Sequence, residues 1–407
     1  MGIDKTDLRI HFRVTLAVSI FLCQTTALHL PARAEKIDDA AQIERIRHIV
    51  LSQGNNPAGL AHLIQLSSNL QPAAAAKLYS QLAKEYLSLG RLDKAAEVLH
   101  QLVNQHLDQP SAAEGLTTLV RLYSSSEVAH TAKNSLLKSE GHSLPIYAIY
   151  VAQQAISQRR DLANNPALAF QCAVASRLTG NLQSAKGWLS PLRHSKHNKF
   201  WHQGVLVETW LQDRRNAEPP KPTIHCAHTD KRPLLDGKLN EPPWPSAKPI
   251  SLTNDSAQIQ FAHDEKFLYL AIRCQKLAGE NYPSEKLPRS YDADLTGQDH
   301  IRLLLDLDRD YATYFQFSID HRGQTADRCW LDASWNPSWF VATSSDNTSW
   351  TVEAAIPWSE LTDHPPQTHD AWALAIERQP ATKKPATWVG PTAKDPGPES
   401  FGLLLFD

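Results

Sequence analysis

The chain has 407 residues, of which 42% are hydrophobic and 21% charged, and its formal net charge is −2. This is the composition of an ordinary soluble globular protein, and it provides no basic patch for nucleic acid. The length predicts two or three domains. Tryptophan is unevenly distributed: none of the 11 precedes Trp188 and eight lie from Trp244 onward, which indicates two architectures in one chain.

Residues 1–34 have the pattern of an export signal. Three basic residues precede the apolar segment Val14–Cys23, which is short for a membrane span, and Ala32-Arg33-Ala34 supplies a cleavage pattern. We therefore expect an exported protein, periplasmic or extracellular, with no membrane attachment beyond this signal. An uncleaved membrane anchor is the alternative.

Export permits disulfide bonds. Three of the four cysteines after the signal lie in the tryptophan-rich half, at Cys226, Cys274 and Cys329, which allows one bridge. No C-x-x-C occurs, so neither a zinc knuckle nor a thioredoxin-type redox pair is predicted. Cys226 and Cys274 each end a predicted strand, and we expect the bridge between them. A Cα separation well beyond about 7 Å would exclude this pair.

Residues 35–215 show helical patterning. In the clearest segment, Ala73–His106, two amphipathic runs flank Gly90. Their small and large residues fall where a tetratricopeptide repeat has them, and Ala169–Leu192 looks like a second, weaker copy around Gly180. The segment thus predicts an α-helical repeat array with a concave surface for a peptide or protein partner. A helical spacer without a partner is the alternative.

Residues 216–222 belong to a proline-rich linker, so we expect the two halves to fold independently. Residues 223–407 contain short alternating strands with no helices between them, which predicts an antiparallel β-sandwich and, for the whole chain, a multidomain α-then-β protein. Nearly every residue of Phe267–Cys274 is apolar, as expected of a strand in the middle of a sheet. The predicted strands are Ile224–Ala227, Gln258–His263, Phe267–Cys274, His300–Asp306, Tyr311–Asp320, Trp339–Thr343, Trp350–Ile356, Trp372–Arg378 and Phe401–Phe406.

Motifs along residues 223–407 resemble those of carbohydrate-binding module family nine, and they occur in the expected order. They are Asp236-Gly237 with Glu241 and Trp244, Asp264-Glu265 before Leu268-Tyr269-Leu270, Gln298-Asp299 before a strand ending at Asp306, Val352–Pro357, and Phe401-Gly402. The resemblance implies a jelly-roll-like, DOMON-like sandwich that binds sugars and is commonly appended to secreted glycan-degrading enzymes.

The family's sugar slot lies between two tryptophans, and this chain lacks both of them. The corresponding positions hold Thr296-Gly297 and Ala393–Pro396, and the carboxylate expected in the following strand falls on Arg302. The resemblance therefore implies the fold without the known slot.

The chain has instead a tryptophan-rich loop at 330–340. Exposed aromatic rings beside amides and carboxylates suit sugar recognition, because CH groups stack on the ring while polar groups bond the hydroxyls. Arg302 is a predicted sugar contact because the family has a contacting acid at that position, and Asp327 is another because it precedes the loop. In the alternative interpretation, Trp335 and Trp339 fold inward and cap the core. The predicted ligand-binding residues are Trp330, Trp335, Trp339, Arg302 and Asp327.

Asp306-Leu307-Asp308-Arg309-Asp310 has the rhythm of a calcium loop but lacks the glycine and the final acid of an EF-hand. We interpret it as a solvated turn, with a surface calcium site as the alternative, and expect no other cofactor. No motif places two of Asp299, Asp306, Asp327 and Asp332 across a cleft for glycoside hydrolysis. The sequence also lacks a Ser-His-Asp grouping, a phosphate loop and an H-E-x-x-H motif.

These patterns predict an exported, non-catalytic carbohydrate-binding protein whose sandwich is carried on a helical protein-interaction scaffold. One alternative is an envelope or periplasmic interaction protein whose sandwich no longer binds sugar. The other is a component with glycoside hydrolase activity. An exposed Trp335 favours the first function and a buried one the second, while a cleft flanked by two carboxylates favours the third.

Overall fold

The computed structural model describes residues 39–52, 58–132, 143–193, 199–214, 218–283, 288–392 and 396–407. These residues fall in one compact unit, Asp39–Asp407. The predicted signal at 1–34 lies outside the described residues, as do 215–217 in and beside the predicted linker.

The first half is helical throughout its described part. Its helices are α1 (Asp39–Ser52), α2 (Gly59–Ser67), α3 (Pro72–Ser88), α4 (Leu92–Gln105), α5 (Pro110–Ser124), α6 (Ser126–Thr131), α7 (Leu144–Gln158), α8 (Pro166–Leu178), α9 (Leu182–Arg193) and α10 (Lys199–Gln212).

Two helical hairpins confirm the predicted helix pairs. Helices α3 and α4 flank Gly90 at φ +67°, and α8 and α9 flank Gly180 at φ +76°. Glycine adopts this left-handed conformation without the steric penalty of a Cβ, so each can end one helix and begin a sharp turn. The facing apolar residues Tyr79, Leu82 and Leu99 are buried together in the helical core, as the spacing predicts. The assignment of these hairpins to the tetratricopeptide family stays a prediction.

The second half forms a curled, mixed β-sheet. The strands are β1 (Thr223–His228), β2 (Ile250–Ser251), β3 (Ala257–His263), β4 (Phe267–Gln275), β5 (His300–Asp306), β6 (Phe315–Asp320), β7 (Thr325–Cys329), β8 (Phe340–Ser345), β9 (Ser349–Pro357), β10 (Ala371–Gln379), β11 (Ala386–Thr387) and β12 (Gly402–Phe406). The single-turn helix α11 (Trp358–Leu361) follows β9. Along the sheet the strand order is β7-β6-β5-β10-β12-β1-β3-β4-β9-β8, with β11 paired to β10 and β2 to β3.

The predicted β-sandwich is confirmed, with one difference in strand direction. Strand β4 lies between β3 and β9, where Leu270 aligns with Phe261 on one side and Ala354 on the other. Phe261 and Leu270 point into the sandwich core together with Trp350. The sheet is mixed because β1 runs parallel to both of its neighbours, β12 and β3.

The helical array packs directly against the sandwich. Phe170 and Trp201 of the helices share one buried cluster with Tyr311 and Phe401 of the sandwich. Lys221, at the end of the predicted linker, is itself buried, and its Nζ donates to the carbonyl of Phe401 over 2.8 Å. This shared core argues against the expected independent folding of the two halves.

The predicted Cys226–Cys274 disulfide is wrong. Both residues are buried free thiols. Cys226 aligns with Phe261 across one strand pair and Phe261 with Leu270 across the next, four residues before Cys274. Two strand spacings of about 4.8 Å and four residues of about 3.3 Å each put the Cα atoms roughly 16 Å apart. That separation is far beyond the limit for a disulfide.

Candidate functional site

The tryptophan-rich loop is folded inward at both ends. Trp330 is 8% exposed and packs in the core of the helical array. Trp339 is 3% exposed and lies in the sandwich core, where its ring meets Phe317 edge-on at 5.1 Å. The structure therefore corrects the predicted stacking role of these two rings, because a ring that is almost fully buried cannot stack on a sugar.

Trp335 is less buried than Trp330 and Trp339. It is half-buried, and its ring stacks on Phe315 with the centroids 4.5 Å apart. Phe317 contacts the same ring edge-on at 5.6 Å. The alternative interpretation, in which the rings cap the sandwich core, is thus confirmed for Trp339 and fits the packed face of Trp335.

Of the two predicted polar residues, only Asp327 lies near the loop. Its Oδ2 accepts a hydrogen bond from Trp339 Nε1 over 3.1 Å, and burial raises its pKa to about 6. Arg302 lies on β5, where Nη2 donates to Glu377 over 3.2 Å and to Thr392. Arg302 thus ties β5 to β10 and to the segment before β12, and the structure does not bring it to the tryptophans.

An open groove of about 700 Å³ lies beside the start of β8. Two aromatic residues on it face solvent: Tyr291 is 49% exposed and Phe340 is 53% exposed. Its lining residues are Leu235, Arg289, Tyr291, Asn336, Pro337, Ser338, Trp339, Phe340 and Val341. The groove therefore uses the second half of the tryptophan-rich loop together with residues that the sequence did not single out.

Arg289 is held in the wall of the groove between two rings. Its guanidinium carbon lies 4.5 Å from the Tyr291 ring centroid and 4.8 Å from that of Trp339. Its Nε donates to Thr325 Oγ1 over 3.1 Å and its Nη1 to the carbonyl of Trp339 over 2.5 Å. These contacts fix the guanidinium and keep Tyr291 in place, since a cation is attracted to an aromatic face.

Asn336 supplies a second polar group with a fixed orientation. Its Nδ2 donates to Asp292 Oδ2 over 3.2 Å, and both side chains are exposed. An amide carries an acceptor as well as donors, so the oxygen of Asn336 is free to accept from a ligand hydroxyl. The groove thus combines solvent-facing rings with groups that donate and accept hydrogen bonds.

The carboxylates considered for hydrolysis do not face this groove. Asp299 is buried and binds Arg378, Trp350 and Tyr282 through its side-chain oxygens. Asp306 is also buried, and Asp327 bonds Trp339. Among the described lining residues, none is an Asp or a Glu.

The interpretation of Asp306–Asp310 as a solvated turn is wrong. All three carboxylates are buried, with exposures of 0%, 2% and 0% for Asp306, Asp308 and Asp310. They lie against α6 of the helical array, where Ser126 N donates to Asp308 Oδ2 over 2.6 Å. Because the partner helix is far away in the sequence, the local pattern gave no sign of this burial.

A second acidic group, Asp236, Glu241 and Glu353, has a structural role in the sandwich. Glu353 accepts hydrogen bonds from Trp244 Nε1 over 2.7 Å and from the backbone N–H groups of Asp236 and Gly237 over 3.0 and 2.8 Å. The carboxylate thereby fixes the turn and the tryptophan plug that carry part of the family resemblance.

Solved structures similar to this chain include sugar-binding modules. A family 9 carbohydrate-binding module from Caldicellulosiruptor kristjanssonii in complex with cellotriose shares 14% identity at a TM-score of 0.34, covering 46% of this chain and 94% of the module. A family 9 module from the same organism in complex with glucose shares 15% identity at 0.34, covering 46% and 96%. A protein of Bacteroides uniformis ATCC 8492, described as a candidate carbohydrate-binding protein, shares 13% identity at 0.35, covering 46% and 100%.

The first two neighbours belong to the family that the sequence motifs resemble. The likeness covers less than half of the chain, and the sugars named are ligands of those proteins. No protein-family model matches the sequence, and no curated protein matches it significantly. Among the described residues, no helix combines the length and apolar character needed to cross a membrane.

Proposed function

We propose that this protein is an exported, non-catalytic glycan-binding protein whose ligand site is the groove beside β8. One observation carries the proposal: Tyr291 and Phe340 present half-exposed rings to the same groove, next to Arg289 and Asn336. Glycan binding is the class of function expected from the sequence. The proposed stacking residues, Tyr291 and Phe340, differ from the tryptophans that the sequence predicted.

The chemistry of the groove suits a sugar better than a purely apolar ligand. A pyranose ring has an apolar CH face that packs on an aromatic ring and a rim of hydroxyls that need hydrogen bonds. Tyr291 and Phe340 offer the faces, while Asn336 and Ser338 offer polar atoms on the same surface. An open groove can also bind sugar units in the middle of a long glycan, which a closed cavity cannot.

The polar groups are held in position before any ligand arrives. Arg289 is fixed by Thr325 and the Trp339 carbonyl, and Asn336 by Asp292. Preorganised side chains lose little conformational freedom on binding, so more of their interaction energy contributes to affinity. The arrangement supports specific binding in this open groove.

The absence of a catalytic function in this proposal rests on the carboxylates. Glycoside hydrolysis requires two of them about 5–10 Å apart on either side of the scissile bond. In the described part of the groove wall, acidic side chains are missing, and Asp292 and Asp327 nearby bond Asn336 and Trp339. The site therefore has the groups for holding a glycan and lacks the pair for cleaving it.

The experiment starts with a glycan array probed with the purified exported chain, with glucose and cellotriose among the probes. The oligosaccharide that binds best is then titrated by calorimetry into wild type, Tyr291→Ala and Phe340→Ala. Loss of one stacking ring should weaken binding by about 1–3 kcal/mol, as for other aromatic platforms. Tyr150→Ala is the control, because Tyr150 is similarly exposed, at 45%, but lies on α7.

The outcomes separate the site from the function. If both groove variants keep the wild-type affinity and circular dichroism spectrum, the groove is not the site. If no glycan on the array binds, the proposed function itself fails. If Tyr150→Ala loses affinity as strongly as the groove variants, binding occurs on the helices instead.

A second function, binding of a peptide or protein partner by the helical array, is favoured by one observation on α7. Ile146 is 50% exposed and Tyr150 is 45% exposed, and Tyr150 stacks on Tyr147 with the centroids 6.1 Å apart. Large exposed apolar residues that are grouped together mark interaction surfaces. Crosslinking in cells that secrete the protein should join a partner to α7, and Ile146→Asp should abolish that crosslink while glycan binding is retained.

A further inference from the structure

The loop Asp306–Asp310 joins β5 to β6 at the interface between the helical array and the sandwich. Glu127 of α6, which is 0% exposed, faces it from the helical side. Glu127, Asp306 and Asp308 each bring one carboxylate oxygen to a place where the three atoms lie within 4.8 Å of one another. Two layers of the protein thus contribute negative charge to one buried spot.

The arginines around this spot do not balance its charge. Arg177 and Arg309 both pair with Glu208, over 3.3 and 2.9 Å. Arg121 is the third guanidinium, and it lies close enough to Asp310 to attract its charge. Five buried carboxylates, counting Asp310 and Glu208, therefore face three guanidinium groups, and full ionisation leaves two negative charges in excess. Burying uncompensated charge is costly, so something positive is needed there.

Backbone N–H groups hold the carboxylates in fixed positions. Leu307 N donates to Glu127 Oε1 over 2.6 Å, and Tyr311 N donates to Asp306 Oδ2 over 2.7 Å. Ser126 N does the same for Asp308. A carboxylate oxygen has two lone pairs, so one backbone donor orients it and leaves capacity for a second partner.

Two further buried polar groups border the cluster. Gln171 is fully buried, and its Nε2 donates to the carbonyl of Asp310 over 3.0 Å, which holds its amide against the loop. Among the described residues, its Oε1 has no hydrogen-bond partner, and neither does the hydroxyl of the buried Tyr311, the next residue after the loop. Buried oxygens without partners are rare in native proteins and indicate a bound water or ion.

We propose that a divalent cation of the Ca²⁺ class binds between α6 and the β5–β6 connection and clamps the helical array to the sandwich. Glu127, Asp306 and Asp308 are its protein ligands. Ca²⁺ binds oxygen at about 2.3–2.6 Å in flexible geometry, so oxygens up to roughly 5 Å apart can share one ion. A donor set made only of oxygen excludes zinc and copper as preferred ions, since these favour nitrogen and sulfur.

This site differs from the surface calcium site considered from the sequence, because it is buried and needs Glu127 from the helical half. It is also independent of the glycan proposal, since none of its residues lines the groove. Its predicted role is mechanical: removal of the ion loosens the contact between the two layers.

The test uses the full exported chain treated with EDTA and then desalted. Calorimetric titration with CaCl₂ should show a single saturable site, and Ca²⁺ should raise the midpoint of thermal unfolding, while Zn²⁺ should not. Asp308→Asn should weaken Ca²⁺ binding at least about tenfold, by analogy with the loss of groups that support a metal. Asp236→Asn, in the second acidic group, is the matched control and should leave Ca²⁺ binding unchanged.

Wild-type protein alone can refute the proposal, even if Asp308→Asn fails to fold. If the chain neither binds Ca²⁺ in calorimetry nor changes its unfolding midpoint between EDTA and millimolar Ca²⁺, the carboxylates share protons instead of an ion. Tighter binding of Zn²⁺ than of Ca²⁺ would also contradict the proposed class of ion. Unchanged Ca²⁺ affinity in a folded Asp308→Asn variant would show that the ion binds elsewhere.

Discussion

The substitution Phe170→Ala tests whether the helical array and the sandwich unfold as one unit. Phe170 lies on α8 and is fully buried. Its ring centroid lies 5.0 Å from that of Trp201 in the helices and 5.8 Å from that of Tyr311 in the sandwich. One side chain therefore fills space that both layers share.

The size of the effect follows from the packing around this ring. Truncating a buried phenylalanine to alanine typically costs about 3–5 kcal/mol. A Cβ built on Gly204 would lie 2.8 Å from the Phe170 ring, so the ring packs against a residue that has no side chain to fill the cavity. We therefore expect a loss toward the upper end of that range, about 4–5 kcal/mol.

Urea unfolding with two probes measures whether the loss is shared. Circular dichroism at helical wavelengths reports mainly on α1–α10, and tryptophan fluorescence reports mainly on the sandwich, because eight of the 11 tryptophans lie from Trp244 onward. Both transitions should move to lower urea together, as for a two-state unit. A shift of the helical signal alone would refute the reasoning and support independent folding. Tyr150→Ala, at an exposed helical site, should leave both transitions within about 0.5 kcal/mol.

Three further predictions concern the sandwich. Glu353→Ala leaves three donors without an acceptor: the buried Trp244 Nε1 and Gly237 N, and the part-buried Asp236 N. The substitution should reduce the free energy of unfolding by about 3 kcal/mol or more, and a loss below about 1 kcal/mol would contradict that role. Gly237→Ala should cost about 1–3 kcal/mol in urea unfolding, because Gly237 has φ +81° and an added Cβ would lie 2.6 Å from Ser344 N; wild-type stability would show that the turn can shift. Burial raises the pKa of Asp327 to about 6. Since the folded state holds this proton more tightly than the unfolded chain, stability should fall as pH rises from about 4 to above 6, and Asp327→Asn should flatten that part of the stability profile; an unchanged slope would exclude the group.

Much of the fold could be predicted from local patterns. The alternation of Gln258–His263 and the apolar run of Phe267–Cys274 identified β3 and the central strand β4, because period-two patterning depends on the strand itself. Gly90 and Gly180 marked the two helical turns for a similarly local reason: both adopt positive φ. The parallel pairing of β1 could not be predicted from local patterns, since the register and direction of a strand depend on which strands pair with it.

The candidate site could be predicted only in part. The sequence placed it in the tryptophan-rich loop, and the groove does include Trp339. Which rings face solvent depends on distant packing: Trp330 enters the core of helices that precede it by more than a hundred residues. Tyr291 is an isolated aromatic and Phe340 ends the tryptophan-rich loop, and neither belongs to a periodic pattern that could have indicated its exposure. The acidic loop was misread for the same reason, because its partner Glu127 lies 180 residues away from Leu307 in the sequence.

The central claim is that the groove beside β8 binds a glycan, and hydrogen exchange tests its location most directly. The full chain is compared with and without a saturating amount of the tightest-binding oligosaccharide from the array. Ligand contact should slow amide exchange in peptides that contain 289–292 and 336–341, while α7 exchanges as before. Protection confined to the helices, or no protection under saturating ligand, would contradict the account.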